Sequence, residues 1–381
     1  MDSAPAATIS NHFTSLEDPR IERSRLHLLL DIVVIAICAV ICGADNWVDV
    51  ENFGKAKRKW LQTFLELPNG IASHDTFGRV FARLDPEQFQ SCFLSWIQAV
   101  NVVTAGQVIP IDGKKLRRSH DRTLGKAAIH MVSAWASDNR LVLGQIKVDD
   151  KSNEITAIPE LLRVLEIAGC IVTIDAIGCQ KEIASQIIKQ GADYVLALKE
   201  NQGRLYQDVT GFFQHAERLG FEKIESDYHR TVSKGHGRIE VRQCWTISDP
   251  AYISTLADVE DWSKLKSIVK VTAERRIGDK TSLQDRFFIA SLDGEAEQAL
   301  GAVRTHWEIE NCVHWVLDIA FREDESRVRK GDGAQNMAVL RHIALNLLKQ
   351  EKTAKCGVKA KRLKAAWDED YLLKVLEGLS D

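Results

Sequence analysis

Two aspartates share one local context. Asp112 closes the β-branched run Val108-Ile109-Pro110-Ile111 and is followed at once by Gly113 and Lys114; Asp175 closes Ile171-Val172-Thr173-Ile174. Such runs have strand character, so each carboxylate is expected where a strand ends, and in open α/β sheets strand ends are where sites are built. Either aspartate alone would read as a turn former or a helix cap. A third acid, Glu310, lies in a helical stretch with His306 and His314 at i−4 and i+4, which puts all three on one face. Glu308, Asp318, Glu323 and Asp324 compete for that role, and the His306–Glu310–His314 trio also admits a zinc reading. The favoured set is Asp112, Asp175 and Glu310, whose hard oxygen ligands select Mg²⁺ or Mn²⁺. Two such ions about 3.5–4 Å apart can activate an attacking oxygen and stabilise a leaving one in phosphodiester displacement.

The surroundings suit a polyanion only locally. The 381 residues carry a net charge of −3, with 45% hydrophobic and 27% charged residues, which excludes a uniformly basic coat. Residues 113–126 nevertheless hold Lys114, Lys115, Arg117, Arg118, Arg122 and Lys126 against Asp121 alone. Because this stretch abuts Asp112, phosphate contact is expected from Lys114, Lys115 and Arg117, and also from Lys199 at another strand end. Asn201 is expected to orient a neighbouring strand. A second basic run, 352–364, reads as a solvated face. The eight cysteines form no C-x-x-C pair and no disulfide framework, so they read as small hydrophobes in a reducing cytosol. Leu26 to Ala44 is about long enough to span a bilayer, but His27 and Asp31 make it a buried core helix. No membrane association is expected.

These acids are far apart in sequence, so the fold must gather them. Residues 1–105 are expected to form a helical domain. Leu28 to Cys42 is its most apolar helix, Asp45 or Asn46 caps the next, and Ser73-His74-Asp75 caps another from Thr76 to Leu84. Lys55, Lys57, Arg58 and Lys59 suit DNA binding by this bundle, although a packing or dimerisation cap fits nearly as well. From 106 to 220 the pattern becomes strands 107–111, 128–136 and 141–148, helix 154–167, strand 171–174, helix 180–190 and strand 194–198. That is the order of a ribonuclease H-like mixed sheet with flanking helices, an α/β fold in which the first and fourth strands are neighbours. Residues 221–292 predict a β-rich insertion, 293–350 the C-terminal helices that complete the core, and 351–381 a basic helical tail. Trp307 and Trp315 are assigned to the core.

Several short motifs resemble those of the insertion-sequence DDE transposases, in the H-repeat-associated branch, over nearly the whole chain. They include His74-Asp75-Thr76, Ile111-Asp112-Gly113-Lys114, Lys151-Ser152-Asn153-Glu154-Ile155-Thr156, Asp175-Ala176-Ile177-Gly178, Lys199-Glu200-Asn201-Gln202-Gly203 and His306-Trp307-Glu308-Ile309-Glu310-Asn311. The resemblance implies Asp112, Asp175 and Glu310 as the DDE triad, holding two Mg²⁺ or Mn²⁺ ions. It also implies cleavage and strand transfer on double-stranded DNA, at the element's terminal inverted repeats and the target. The partner set is therefore duplex DNA and further copies of the chain, at least a dimer on DNA. The setting is a bacterial cytoplasm, at the nucleoid when DNA is bound. Alternatives are a metal-dependent nuclease that only hydrolyses and a degenerate DNA-binding relic. The wider family carries a Tyr, an Arg and a Lys around the last acid where this chain has Val303, His306 and Leu317. The phosphate-binding cations of the family are therefore either replaced here by His306 and His314 or absent.

Overall fold

A computed structural model describes residues 6–100, 104–119, 128–148, 153–235 and 237–377. The chain opens with helices α1 (Ala6–Asn11), α2 (Leu29–Ile41), α3 (Trp47–Ala56), α4 (Arg58–Leu61), α5 (His74–Phe81) and α6 (Pro86–Val100). Local chemistry sets their starts. Asn46 Oδ1 accepts from the Asp49 N–H at 3.1 Å and Ser73 Oγ from the Thr76 N–H at 3.3 Å, as N-caps do. Helix α6 starts at Pro86, whose fixed φ suits a first turn, while Asp85 Oδ1 receives the Glu87 N–H at 2.9 Å.

A nine-stranded sheet follows, in the order β3-β2-β1-β4-β5-β9-β8-β7-β6. Its first half comprises β1 (Val108–Lys115), β2 (His130–Ala136), β3 (Leu141–Val148), helix α7 (Glu154–Val164), β4 (Ile171–Ile174), helix α8 (Lys181–Lys189), β5 (Asp193–Leu198) and helix α9 (Gly203–Arg218). Strands β1, β2 and β3 form an antiparallel meander, and β4 and β5 add in parallel on the other side of β1. This topology is ribonuclease H-like.

The stretch from 221 to 292 is β-rich as expected, with β6 (Ser226–Gly235), β7 (Arg238–Ile247), a short helix α10 (Pro250–Ile253), β8 (Ser267–Ile277) and β9 (Lys280–Ala290). It does not stand apart from the core sheet. Strand β9 pairs antiparallel with β5 from Val195↔Ala290 to Leu198↔Phe287, so the four strands prolong the core sheet.

Helix α11 (Ala296–Ile309) then crosses β1 and β4, continues through a π-helical turn (Glu310–His314) and ends as α12 (Trp315–Ala320). Helices α13 (Gly333–Gln350), α14 (Val358–Trp367) and α15 (Glu369–Glu377) complete the chain. Helix α2, buried from Asp31 to Ile41, packs on α13, so its apolar surface is covered within the chain. The basic tail is only partly a solvated face. Lys361 donates to the Leu348 carbonyl at 2.9 Å, and buried Arg362 donates to the Val40 carbonyl at 2.8 Å while stacking on Phe321. Among the described residues, no helix is long and apolar enough to cross a membrane.

Candidate active site

The site is built by the register of β1 on β4. Their parallel pairing runs from Val108↔Ile171 to Ile111↔Ile174 and stops there. The next residues are Asp112 and Asp175. Asp175 follows β4 directly, as expected, and its Oδ1 accepts from the Ile177 N–H at 3.1 Å to cap a short 3₁₀ turn. Asp112 does not end its strand. Strand β1 runs on to Lys115, paired with β2 alone through Asp112↔Ser133 and Lys115↔His130. The antiparallel ladder carries the chain past the point where β4 leaves, and the departure of β4 opens the space beside Asp112.

Asp112, Asp175 and Glu310 line one cavity of about 510 Å³, together with Lys199, His306 and Trp307. The one-face reading of the helix holds only in part. His306 Nδ1 lies 3.0 Å from the Thr173 hydroxyl on β4 and is kept neutral by burial. The π-turn then adds a residue to its turn of helix, a local irregularity frequent at functional sites. His314 is thereby buried, with Nδ1 3.0 Å from Glu310 Oε2 and 3.6 Å from Asp112 Oδ2. His306, on the β4 side, does not join it, so the His306–Glu310–His314 zinc trio is not assembled.

Asp112, Glu310 and His314 each offer a ligand atom within 4.8 Å of the others'. Asp175 faces the same cavity but stands outside this closest group. Electrostatics suit a cation. Burial, opposed by the Gly113 N–H and reinforced by the charges of Asp175, Glu154 and Glu310, pushes the Asp112 carboxyl up to about 7. Crowded acids of this kind are relieved by a bound cation, which reverses the local preference for the protonated form. Two carboxylates and one imidazole therefore fit a divalent ion.

The expected DNA contacts divide. Lys115 and Lys199 are exposed, the latter on the cavity rim; Arg117 is exposed and reaches Asp324 at 3.2 Å. Lys114 is not presented to solvent: its ammonium is turned inward, donating to Asp318 at 2.6 Å and Glu323 at 2.8 Å. Asn201 Nδ2 donates to the Ala176 carbonyl at 2.7 Å, stapling the loop after Asp175. His314 is buried against carboxylates, where a phosphate-binding stand-in would have to be open. Arg122 and Lys126 lie outside the described residues. Val303 and Leu317 are buried and apolar. Trp307 and Trp315 are 48% and 58% exposed, which corrects their assignment to the core; Arg286 stacks on Trp307 at 4.4 Å. Glu154, paired with His130 at 2.8 Å, sits beside Asp112 and carried no role in the sequence reading. The signal for it was the shared motif around Glu154.

Residues 103–347 match the family described as Transposase DDE domain, and residues 10–97 match its companion, DDE_Tnp_1-associated. The chain belongs to the DDE transposase family. It is 40% identical to "H repeat-associated putative transposase YhhI" of Escherichia coli K12, over 97% of this chain and 98% of that protein. It is 39% identical to "Putative transposase YncI" of Escherichia coli O157:H7, over 98% and 95%. The solved piggyBac transposase synaptic complex with hairpin DNA aligns with 99% of this chain and 82% of its own, at 10% identity and a TM-score of 0.44. Membership makes the chain a DNA-acting protein of a DNA-cleaving, divalent-metal-using family, in line with the carboxylate cavity.

Proposed function

We propose that this DDE transposase acts for an insertion sequence: it binds the element's ends, cuts there, and joins the freed 3′-hydroxyl to target DNA. The observation that carries the reading is the end of the β1–β4 register, which leaves Asp112 and Asp175 on the cavity that Glu310 also lines. Asp112, Glu310 and His314 would hold one divalent ion, Mg²⁺ or Mn²⁺, and Asp175 would take part in holding the second. When bound, these ions supply Lewis-acid activation of water or a 3′-hydroxyl and charge compensation for the leaving oxygen. His314 is held toward its neutral form by burial, which leaves a ring-nitrogen lone pair for the ion it would share with Asp112 and Glu310. Lys199, which lines the cavity, would meet backbone phosphate there, and the exposed Lys115 and Arg117 would extend the phosphate contacts beyond it.

In this reading residues 1–105 serve end recognition or assembly. Segments 106–220 and 293–350 form the catalytic core, 221–292 widens its sheet, and 351–381 is the basic helical tail. Two ends must be cut in one complex, so at least a dimer forms on DNA. Asp112→Asn, Asp175→Asn and Glu310→Gln keep shape and remove charge. Each should lower Mg²⁺-dependent cleavage of end-bearing duplex by at least about a hundredfold, because each ligand supports several kcal/mol of transition-state charge stabilisation. DNA binding should persist. Cleavage at the wild-type rate by Glu310→Gln would remove the third assignment. Incubating pre-cut ends with target DNA decides between the reactions, since hydrolysis without joining would leave only a nuclease.

A further inference from the structure

A fourth acid borders the cavity and has no part in the triad. Asn153 Oδ1 accepts from the Ile155 N–H at 3.0 Å, capping α7, and Glu154 is the first residue of that helix. The Glu154 carboxylate is buried, with Oε1 2.8 Å from His130 Nε2 at the start of β2. Between the pair and the triad lies Gly113, the residue after Asp112. A Cβ at Gly113 would fall 2.6 Å from the Glu154 carboxyl carbon and 2.8 Å from His130 Nε2, with Glu154 Oε1 closer still. A side chain here would have to push the ends of Glu154 and His130 aside: carboxylate and imidazole rest directly on the backbone that carries Asp112. Charge points the same way. Glu154 and Asp175 both act on Asp112, and Asp175 acts on Glu154, each raising the cost of ionising the next. His130 is held toward its neutral form by burial and by Lys115, so it offsets this crowding only in part.

We propose that Glu154 is a positioning residue of the divalent-cation site. With His130 it clamps the Gly113 backbone, which keeps the Asp112 carboxylate turned to Glu310 and His314, and its charge strengthens the field that draws the cation in. This role rests on the metal reading above. It gives a task to the Asn153-Glu154 motif.

The test is Mn²⁺ affinity of the full-length, metal-stripped protein, measured by calorimetric titration, with the melting temperature of each variant recorded alongside. Glu154→Gln should weaken Mn²⁺ binding about tenfold or more, as loss of outer-shell partners does, while the metal-free melting temperature holds or rises because a repelling charge is gone. Gly113→Ala should weaken binding similarly, since the added methyl displaces Glu154. Should Glu154→Gln not fold, Glu154→Asp keeps the charge but cannot reach His130, and it should bind Mn²⁺ with intermediate affinity. Wild-type affinity in Glu154→Gln, or in Glu154→Asp where that is the variant that folds, overturns the proposal if Asp112→Asn has lost binding. A lower melting temperature with unchanged affinity overturns it too, because Glu154 would then be structural only. If Asp112→Asn also binds like wild type, the metal reading fails, and the role of Glu154 falls with it.

Discussion

The Asp112 carboxyl binds its proton more tightly in the native protein than in the unfolded chain, being pushed from 3.8 up to about 7 by burial and by its acidic neighbours. Between these two values the native state holds a proton that the unfolded state has released. The contribution of Asp112 to the stability of the metal-free protein therefore falls as pH rises through that window and levels off above it. Other acids work in the opposite sense: Glu323, though buried, is held below its ordinary value by Lys114 and Arg341, so its contribution is lost only at lower pH. The buried histidines His306, His314 and His342, held toward their neutral forms by burial, act the other way in the same window, so the Asp112 contribution is read as a difference between wild type and Asp112→Asn. In metal-free protein the melting temperature of wild type relative to Asp112→Asn should fall between about pH 5.5 and about pH 8, and saturating Mg²⁺ should reverse that fall by favouring the ionised form. A relative melting temperature that does not change between these pH values would show that the Asp112 proton is not held in the native state.

Strand β1 shows at the level of the element what the sequence could and could not disclose. Lys114 and Lys115 are adjacent, and in a strand adjacent side chains point to opposite faces. Lys114 enters the interior to meet Asp318 and Glu323, and Lys115 stays in solvent. Lys114→Gln should accordingly cost about 3–5 kcal/mol in chemical denaturation, because a buried acid loses its partner, and should leave the salt slope of DNA binding unchanged. Lys115→Gln should keep the fold and lower that slope by about one unit. A reversed result would mean the two faces are exchanged. Strands 141–148 and 171–174 were legible to the residue because their apolar runs are bounded by polar turns. The continuation of β1 beyond Asp112 was not, since Gly-Lys-Lys carries no strand signal and only the β2 ladder holds it. The alternating runs in 221–292 likewise mark that stretch as β-rich but cannot tell that its last strand pairs with β5. Helical phase assumes 3.6 residues per turn, so it could not foresee the π-turn that separates His314 from His306. The two aspartates were legible because each follows a strand-like run; Glu154 and His130 meet only through the fold.

Across the whole molecule, N-terminal and C-terminal helices share one core. Helix α2 lies on α13, α14 and α15 pack against α2 and α1, and the Asn336 amide donates to the carbonyls of Phe81 and Leu84 at 2.8 and 2.9 Å. Residues 1–105 therefore cover α13 as well as offering candidate DNA contacts. A 106–381 fragment should be insoluble when expressed alone, and a soluble monomeric fragment would show that α13 needs no such cover. End recognition by the bundle is better probed by single substitutions at Lys55 or Lys59 in the intact chain.

That shared core also sets a timetable for synthesis. Helix α13 leaves the ribosome roughly 290 residues after α2, a wait of about 15–60 s at elongation rates of about 5–20 residues per second. Throughout that interval the most apolar helix of the chain has α1 and α3 beside it but lacks α13, its largest cover. Each newly made molecule thus carries the α13-facing side of α2 exposed until α13 arrives, and the yield of finished transposase should depend on how fast translation reaches α13.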